Sequence, residues 1–304
     1  MKQFVGYFKR YFTQDFRLLS HVLIGLFITI CIYLNYRFNL YASYFRVTNY
    51  DLFGVIKLWG MYGFAFFIPF LILNFRAKKT NLSYLLLGSF GLLFVAIDAS
   101  YYILKFIRLL SEFVEINRFV YSCLSNIASL FSIILPLFTI YLLVKKLRPG
   151  FYGLHPKGAN LKSYLGLILL MAPLVFFSAY FDPDFLSYYP SYNSRAAQAA
   201  GYSQSFSVLI YELCYGFDFF SVELFFRGFM VVALSKYVGK NAILPMVACY
   251  AFLHFGKPMW ETIGSVFGGF GLGVLAYESK NIYGGLIVHL GVAWGMEITA
   301  FILK

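Results

Sequence analysis

Apolar runs of about twenty residues, separated by short polar turns, recur from one end of this sequence to the other. The run from Leu18 to Tyr36 is the first of them. A helix needs about 20 mostly apolar residues to cross the roughly 30 Å of bilayer hydrocarbon. Nine segments qualify, at 18–36, 53–75, 83–106, 119–144, 163–181, 204–235, 241–255, 259–277 and 281–303. A water-soluble fold would have to hide all of them. The composition leaves too little polar surface for that, at 61% hydrophobic and 12% charged. Soluble domains run at about 45–50% and 25%. The expected fold is therefore all-α, a polytopic transmembrane bundle of about nine spans, with a polar cavity in the last four. The seventh segment is short, and the sixth is long enough to tilt or break.

The net charge of +12 has a membrane explanation in basic loops that set topology and touch anionic headgroups. No basic cluster accompanies a soluble nucleic-acid module, so nucleic acid is not expected as a partner; the lipid bilayer is. With the N-terminus cytoplasmic, fifteen Lys and Arg fall on inside segments, eight outside and two (Lys57 and Arg227) within spans. That excess predicts N-in, C-out, in a membrane read as the bacterial plasma membrane. The first residues, MKQFVGYFKRYFTQDFR, show no cleavable signal and read as an interfacial amphipathic helix. Cys31, Cys123, Cys214 and Cys249 lie in apolar runs without metal or disulfide spacing and read as small core residues.

The halves differ in polarity. Residues 1–160 read as an N-terminal membrane extension of about four spans, with Lys57 and Asp98 expected to snorkel to an interface. Residues 161–304 read as the functional core. There Glu212, Glu223 and Arg227 fall on nearly one face of the sixth span, with Asp218 on its far side. A charge in hydrocarbon costs roughly 2.5–3.5 kcal/mol, so such groups are rarely kept without use. The bland use for Glu223 and Arg227 is an ion pair that locks the fold. His254 ends the seventh span before Gly256 and Pro258, and Glu261 opens the eighth. Glycines 264, 268, 269, 271 and 273 in the eighth span predict close helix approach. In the ninth, His289, Ala293 and Glu297 step by four along one face.

Glutamate with histidine can activate water, and a second histidine can meet the oxyanion formed when water attacks an amide. That combination describes a peptidase with no covalent nucleophile and no cofactor. Zinc is the rival use, assembled from His254, His289 and a Glu on separate helices, because the helical two-histidine zinc motif is missing.

The stretches VELFFR (Val222–Arg227), YAFLH (Tyr250–His254) and HLGVA (His289–Ala293) resemble, in order and spacing, the three motifs of the CPBP family. This family comprises the type II CAAX prenyl endopeptidases and the bacteriocin-processing and immunity proteins, also called Abi. The resemblance covers about residues 160–304. It implies an intramembrane glutamic-type endopeptidase acting on a membrane-associated peptide or protein, with Glu223, Arg227, His254 and His289 in its site. Three positions depart from the family, one of them mildly, because Tyr250 stands where the second motif has phenylalanine. The family's first glutamate, assigned to water activation, falls on Val222, and its oxyanion asparagine falls on Ala293. Either Glu212 or Glu223 has become the base with His254, while His289 and Glu297 shape the opposite wall, or catalysis is lost and the cluster serves binding, immunity or scaffolding. A carrier is a third class, and would need two gates.

Overall fold

The computed structural model describes residues 2–48, 51–75, 81–106, 114–148, 150–155, 161–182, 184–192 and 201–304. Arg76, Lys78, Lys79, Arg108, Lys157 and Arg195, counted above for topology, lie outside the described residues. Among those described there is no strand, and eleven α-helices of nine residues or more form one bundle. They are α1 (Lys2–Gln14), α2 (Leu18–Phe38), α3 (Leu52–Asn74), α4 (Leu82–Ala99), α5 (Val114–Ile127), α6 (Leu135–Leu143) and α7 (Leu161–Phe181), followed by α8 (Gln204–Glu223), α9 (Ile243–Leu253), α10 (Met259–Ser279) and α11 (Tyr283–Leu303).

Seven helical segments are long and apolar enough to cross a membrane, with Phe119–Leu143 forming one of them across α5, a π-helical turn and α6. The two expected spans that do not qualify are 204–235 and 241–255. α8 runs without a break into a π-helical segment, Leu224–Ala233, in which every residue is buried. α9 has 11 residues, about 16 Å of helix and half of what the hydrocarbon requires. It needs no lipid match, because Ile243–Phe252 are all buried by protein. α3 and α10 both pack along α9. The polar content that lowers the hydropathy of α8 belongs to the site described below.

Close approach in α10 is confined to two of the five glycines named from sequence. A Cβ on Gly269 would meet the Tyr250 ring at 3.0 Å, and one on Gly273 would meet Met246 at 2.7 Å, so both clear space for α9. Gly264 and Gly268 have nothing within 4 Å. α11 instead packs along α7.

α1 lies against α10, with Tyr11 on Phe270 at 5.2 Å between ring centroids, and Phe4 and Tyr11 buried. Its polar side is latched by Arg10 to Glu278 at 3.3 Å and by Lys240 to both Asp15 and Glu278. The four cysteines are free. Lys57 reaches out to the Tyr44 carbonyl, as snorkelling predicts. Asp98 does not snorkel: it accepts a hydrogen bond from Ser132 and lies within electrostatic reach of Asp218. Two carboxyls facing inward on α4 and α8 are cheaper beside a serine hydroxyl than beside lipid.

Candidate active site

Glu223 is the last residue of α8 and Arg227 lies one turn on, inside the π-helical segment. Both side chains are fully buried, with Arg227 Nη1 2.8 Å from Glu223 Oε1. The approach is close in distance but not aligned as a hydrogen bond. Charge and the Tyr250 ring, 4.2 Å from the guanidinium carbon, hold the arginine in place. The same Oε1 is 2.9 Å from His289 Nδ1 on α11. Glu223 therefore compensates one certain cation and can compensate a second. Gly285, one turn before His289, makes room: a Cβ there would sit 2.5 Å from Glu223 Oε2.

From His289 the network crosses to α9. Its Nε2 is 2.9 Å from the Tyr250 hydroxyl. Tyr250 and His254 are one turn apart on the same short helix, with ring centroids 4.6 Å apart. His254 Nδ1 lies 2.8 Å from the Tyr250 carbonyl oxygen. That carbonyl can only accept, so Nδ1 carries a proton, and in the neutral ring Nε2 is left bare. Nε2 faces Glu261 Oε1 at 3.9 Å. Glu261 also takes an ion pair from Lys257 at 2.7 Å and a hydrogen bond from the Tyr189 hydroxyl at 2.8 Å. Lys257 and Tyr189 were not singled out in the sequence, while Glu261 was marked only as the opening of the eighth span and Tyr250 only as the first residue of the second motif. The break at Gly256–Pro258 was the available signal, because it turns the chain so that the first turn of α10 faces the end of α9.

The first half of the chain holds that turn. Asn35 on α2 donates to the Phe255 carbonyl at 3.1 Å, and the neighbouring Tyr36 donates to the Lys257 carbonyl at 2.7 Å. Thr262 closes the loop on the His254 carbonyl.

Glu297 and Glu212 form a separate group. Glu297 accepts from the Ser191 hydroxyl at 2.5 Å and from its backbone N–H at 3.1 Å. Ser191 in turn accepts from Tyr211. Glu212 sits within electrostatic reach of Glu297, and both its carboxylate oxygens are buried without a hydrogen-bond partner. Its place beside Glu297, and not beside His254, follows from the three turns of α8 that separate it from Glu223. The segment 184–192 thus covers one end of the bundle, tied by Tyr189 to Glu261 and by Ser191 to Glu297.

The donor set does not suit zinc. Among the described residues no three His, Cys, Asp or Glu side chains gather as a metal site needs. His289 has both nitrogens engaged, with Glu223 and Tyr250.

Residues 204–295, from the start of α8 to beyond His289, match the family model described as Type II CAAX prenyl endopeptidase Rce1-like. This stretch is an Rce1-like domain. It supplies α8, α9, α10 and most of α11, so every residue of the Glu223–Arg227–His289–Tyr250–His254–Glu261 network belongs to it. The Rce1-like domain lies in a multi-pass membrane protein, and its family implies a protein substrate. No curated protein and no solved structure matches the chain.

Proposed function

We propose that this protein is an intramembrane endopeptidase that uses activated water to cleave a peptide bond in a membrane-associated peptide or protein. The observation that carries the reading is the pair of histidines converging on Tyr250 from two helices, with opposite chemical surroundings. His254 presents a bare nitrogen beside a carboxylate, as an acceptor that strips or orients water does. His289 is backed by Glu223 and touches the Tyr250 hydroxyl. A proton on His289 Nε2 would leave the Tyr250 O–H free to meet an oxyanion, with the imidazolium compensated by Glu223. This arrangement offers a donor on the wall where Ala293 supplies none.

In this reading Arg227 and Glu223 position His289, and residues 161–304 carry the chemistry. Residues 1–160 form a wall that steadies the His254 loop through Asn35 and Tyr36. Glu297 and Glu212 act at the covering segment, where they hold Ser191 and its neighbours over the bundle end. The chain sits in a bacterial plasma membrane with its N-terminus in the cytoplasm.

The test is cleavage of a membrane-tethered peptide by the protein in proteoliposomes. Wild type is expected to cleave. His254→Ala and His289→Ala are expected to lose activity by about 10²-fold or more, and Glu212→Gln by less than tenfold. Cleavage should persist with a chelator present.

A second reading has one observation in its favour. Glu223 and Arg227 are wholly enclosed, as a fold-locking pair would be, and Val222 and Ala293 lack the polar groups of the motifs they occupy. A catalytically silent binding, immunity or scaffold protein would show no cleavage by wild type on any tethered peptide. Its histidine variants would keep partner binding.

A further inference from the structure

We propose that Glu261 is the general base of this site, taking a proton from a water held between its carboxylate and His254 Nε2. The inference rests on the peptidase reading above, and supplies from α10 the carboxylate that Val222 does not supply from α8.

Glu261 Oε1 and His254 Nε2 are 3.9 Å apart. That is too far for a direct hydrogen bond. It suits two acceptors sharing one water, since an oxygen about 2.8 Å from each would see them about 90° apart, close to the angle between the two O–H bonds of water. Both groups are acceptors toward that point. His254 Nδ1 is committed as a donor to the Tyr250 carbonyl, which leaves the Nε2 lone pair. Water donating to both would direct its own lone pairs away from them, toward an incoming carbonyl carbon.

The carboxylate is aimed. Lys257 fixes Oε1 and the Tyr189 hydroxyl fixes Oε2. Pro258, just ahead of α10, sets where the helix begins. The Glu261 and His254 side chains are not fully enclosed, keeping 11% and 8% of their surface exposed.

The other carboxylates of the C-terminal helices are engaged by partners or placed beside other acidic groups. Glu223 is fully buried against Arg227 and His289, and Glu297 is spent on Ser191. Glu278 is bound in the α1 latch. Glu212 and Asp218 face Glu297 and Asp98. Among the described residues, Glu261 is the carboxylate that comes within ion-pair distance of His254.

The step balances. The water oxygen bonds to the peptide carbonyl carbon, the carbonyl electron pair moves onto its oxygen, and the released proton passes to Glu261. On collapse the C–N bond breaks, and Glu261 returns the proton to the leaving amine. A carboxylic acid and an amine result, and the acid gives its remaining proton to the amine or to solvent to become a carboxylate.

The experiment compares wild type, E261Q and E261D in proteoliposomes on one tethered peptide, reading kcat, KM and the pH profile together with the thermal midpoint. A base is expected to be worth about 10²–10⁴-fold. E261Q should therefore lose at least about 10²-fold in kcat with KM within about threefold. Any residual activity should lack the acidic limb of the wild-type profile. E261D, with its carboxylate drawn back by one methylene, should keep that limb and lose about 10-fold or more. E261Q within threefold of wild type overturns the assignment and leaves the peptidase reading standing. A lowered midpoint with unchanged kcat overturns it too, because that marks a merely structural glutamate. If E261Q does not fold, E261D decides alone, and an unchanged kcat overturns the proposal. A wild type that cleaves no more than H254A removes both readings together.

Discussion

Arg227 and Glu223 carry opposite full charges with no exposed surface between them. Each would cost roughly 2.5–3.5 kcal/mol in hydrocarbon. Three features offset that cost, namely their mutual attraction, the Tyr250 ring face and the imidazole of His289. Removing one charge leaves the other buried and unpaired, the situation in which broken pairs cost about 3–5 kcal/mol. Glu223→Gln and Arg227→Met are each expected to lower unfolding stability in detergent by that amount. Their double variant should recover part of it, as a thermal or denaturant melt would reveal. A loss below about 1 kcal/mol in both single variants would mean that water reaches the pair. The i to i+4 spacing of these residues was legible in the sequence. The family resemblance put His289 in the same site, but the contacts of Tyr250 and Gly285 were not legible, because adjacency across helices leaves no mark in spacing.

At the scale of elements, the decisive feature is a short helix ending inside the protein. α9 stops at Leu253, and the turn at Phe255–Pro258 brings α10 back with Glu261 facing His254. Backbone groups exposed at such a stop need partners where water is scarce. Asn35, Tyr36 and Thr262 supply them. Tyr36→Phe and Asn35→Ala should each cost about 1 kcal/mol of local ordering. In the peptidase assay they should reduce kcat several-fold while global stability and membrane insertion stay near wild type. Unchanged kcat in both would detach the first half of the chain from the site. The Gly256–Pro258 signal marked the stop in the sequence. The same signal did not announce that helices from the first half would hold the turn, since Asn35 and Tyr36 read there as ordinary residues near a span end.

For the whole molecule, a cluster of basic residues lies at the end opposite the site. Lys240, Arg10 and Lys280 cluster near the start of α9 and the end of α10, beside α1. His254, Glu261 and the covering segment 184–192 belong to the other end, where α2 finishes and α10 begins. In the orientation proposed above, the excess of Lys and Arg on the α1 side marks that side as the cytoplasmic one. Trp260, 44% exposed at the site end, provides the check. In a background with the four native cysteines replaced, Trp260→Cys should react with a membrane-impermeant maleimide from outside intact cells, and an α1 cysteine should not. Labelling from the cytoplasmic side alone would reverse the orientation. The sequence by itself determined that the chain is a helical membrane protein, and that its polar groups gather in the last hundred residues. Hydrophobic length and charge are local properties, summed along the chain. Only the tertiary structure decided that the π-helical segment after α8 and the short helix α9 are enclosed by the others, that Glu212 and Glu297 group with Ser191, and that Glu261 stands beside His254. These are questions of distance between helices, settled by which side chains interlock, and a glycine or a proline sets them as much as any charged residue does.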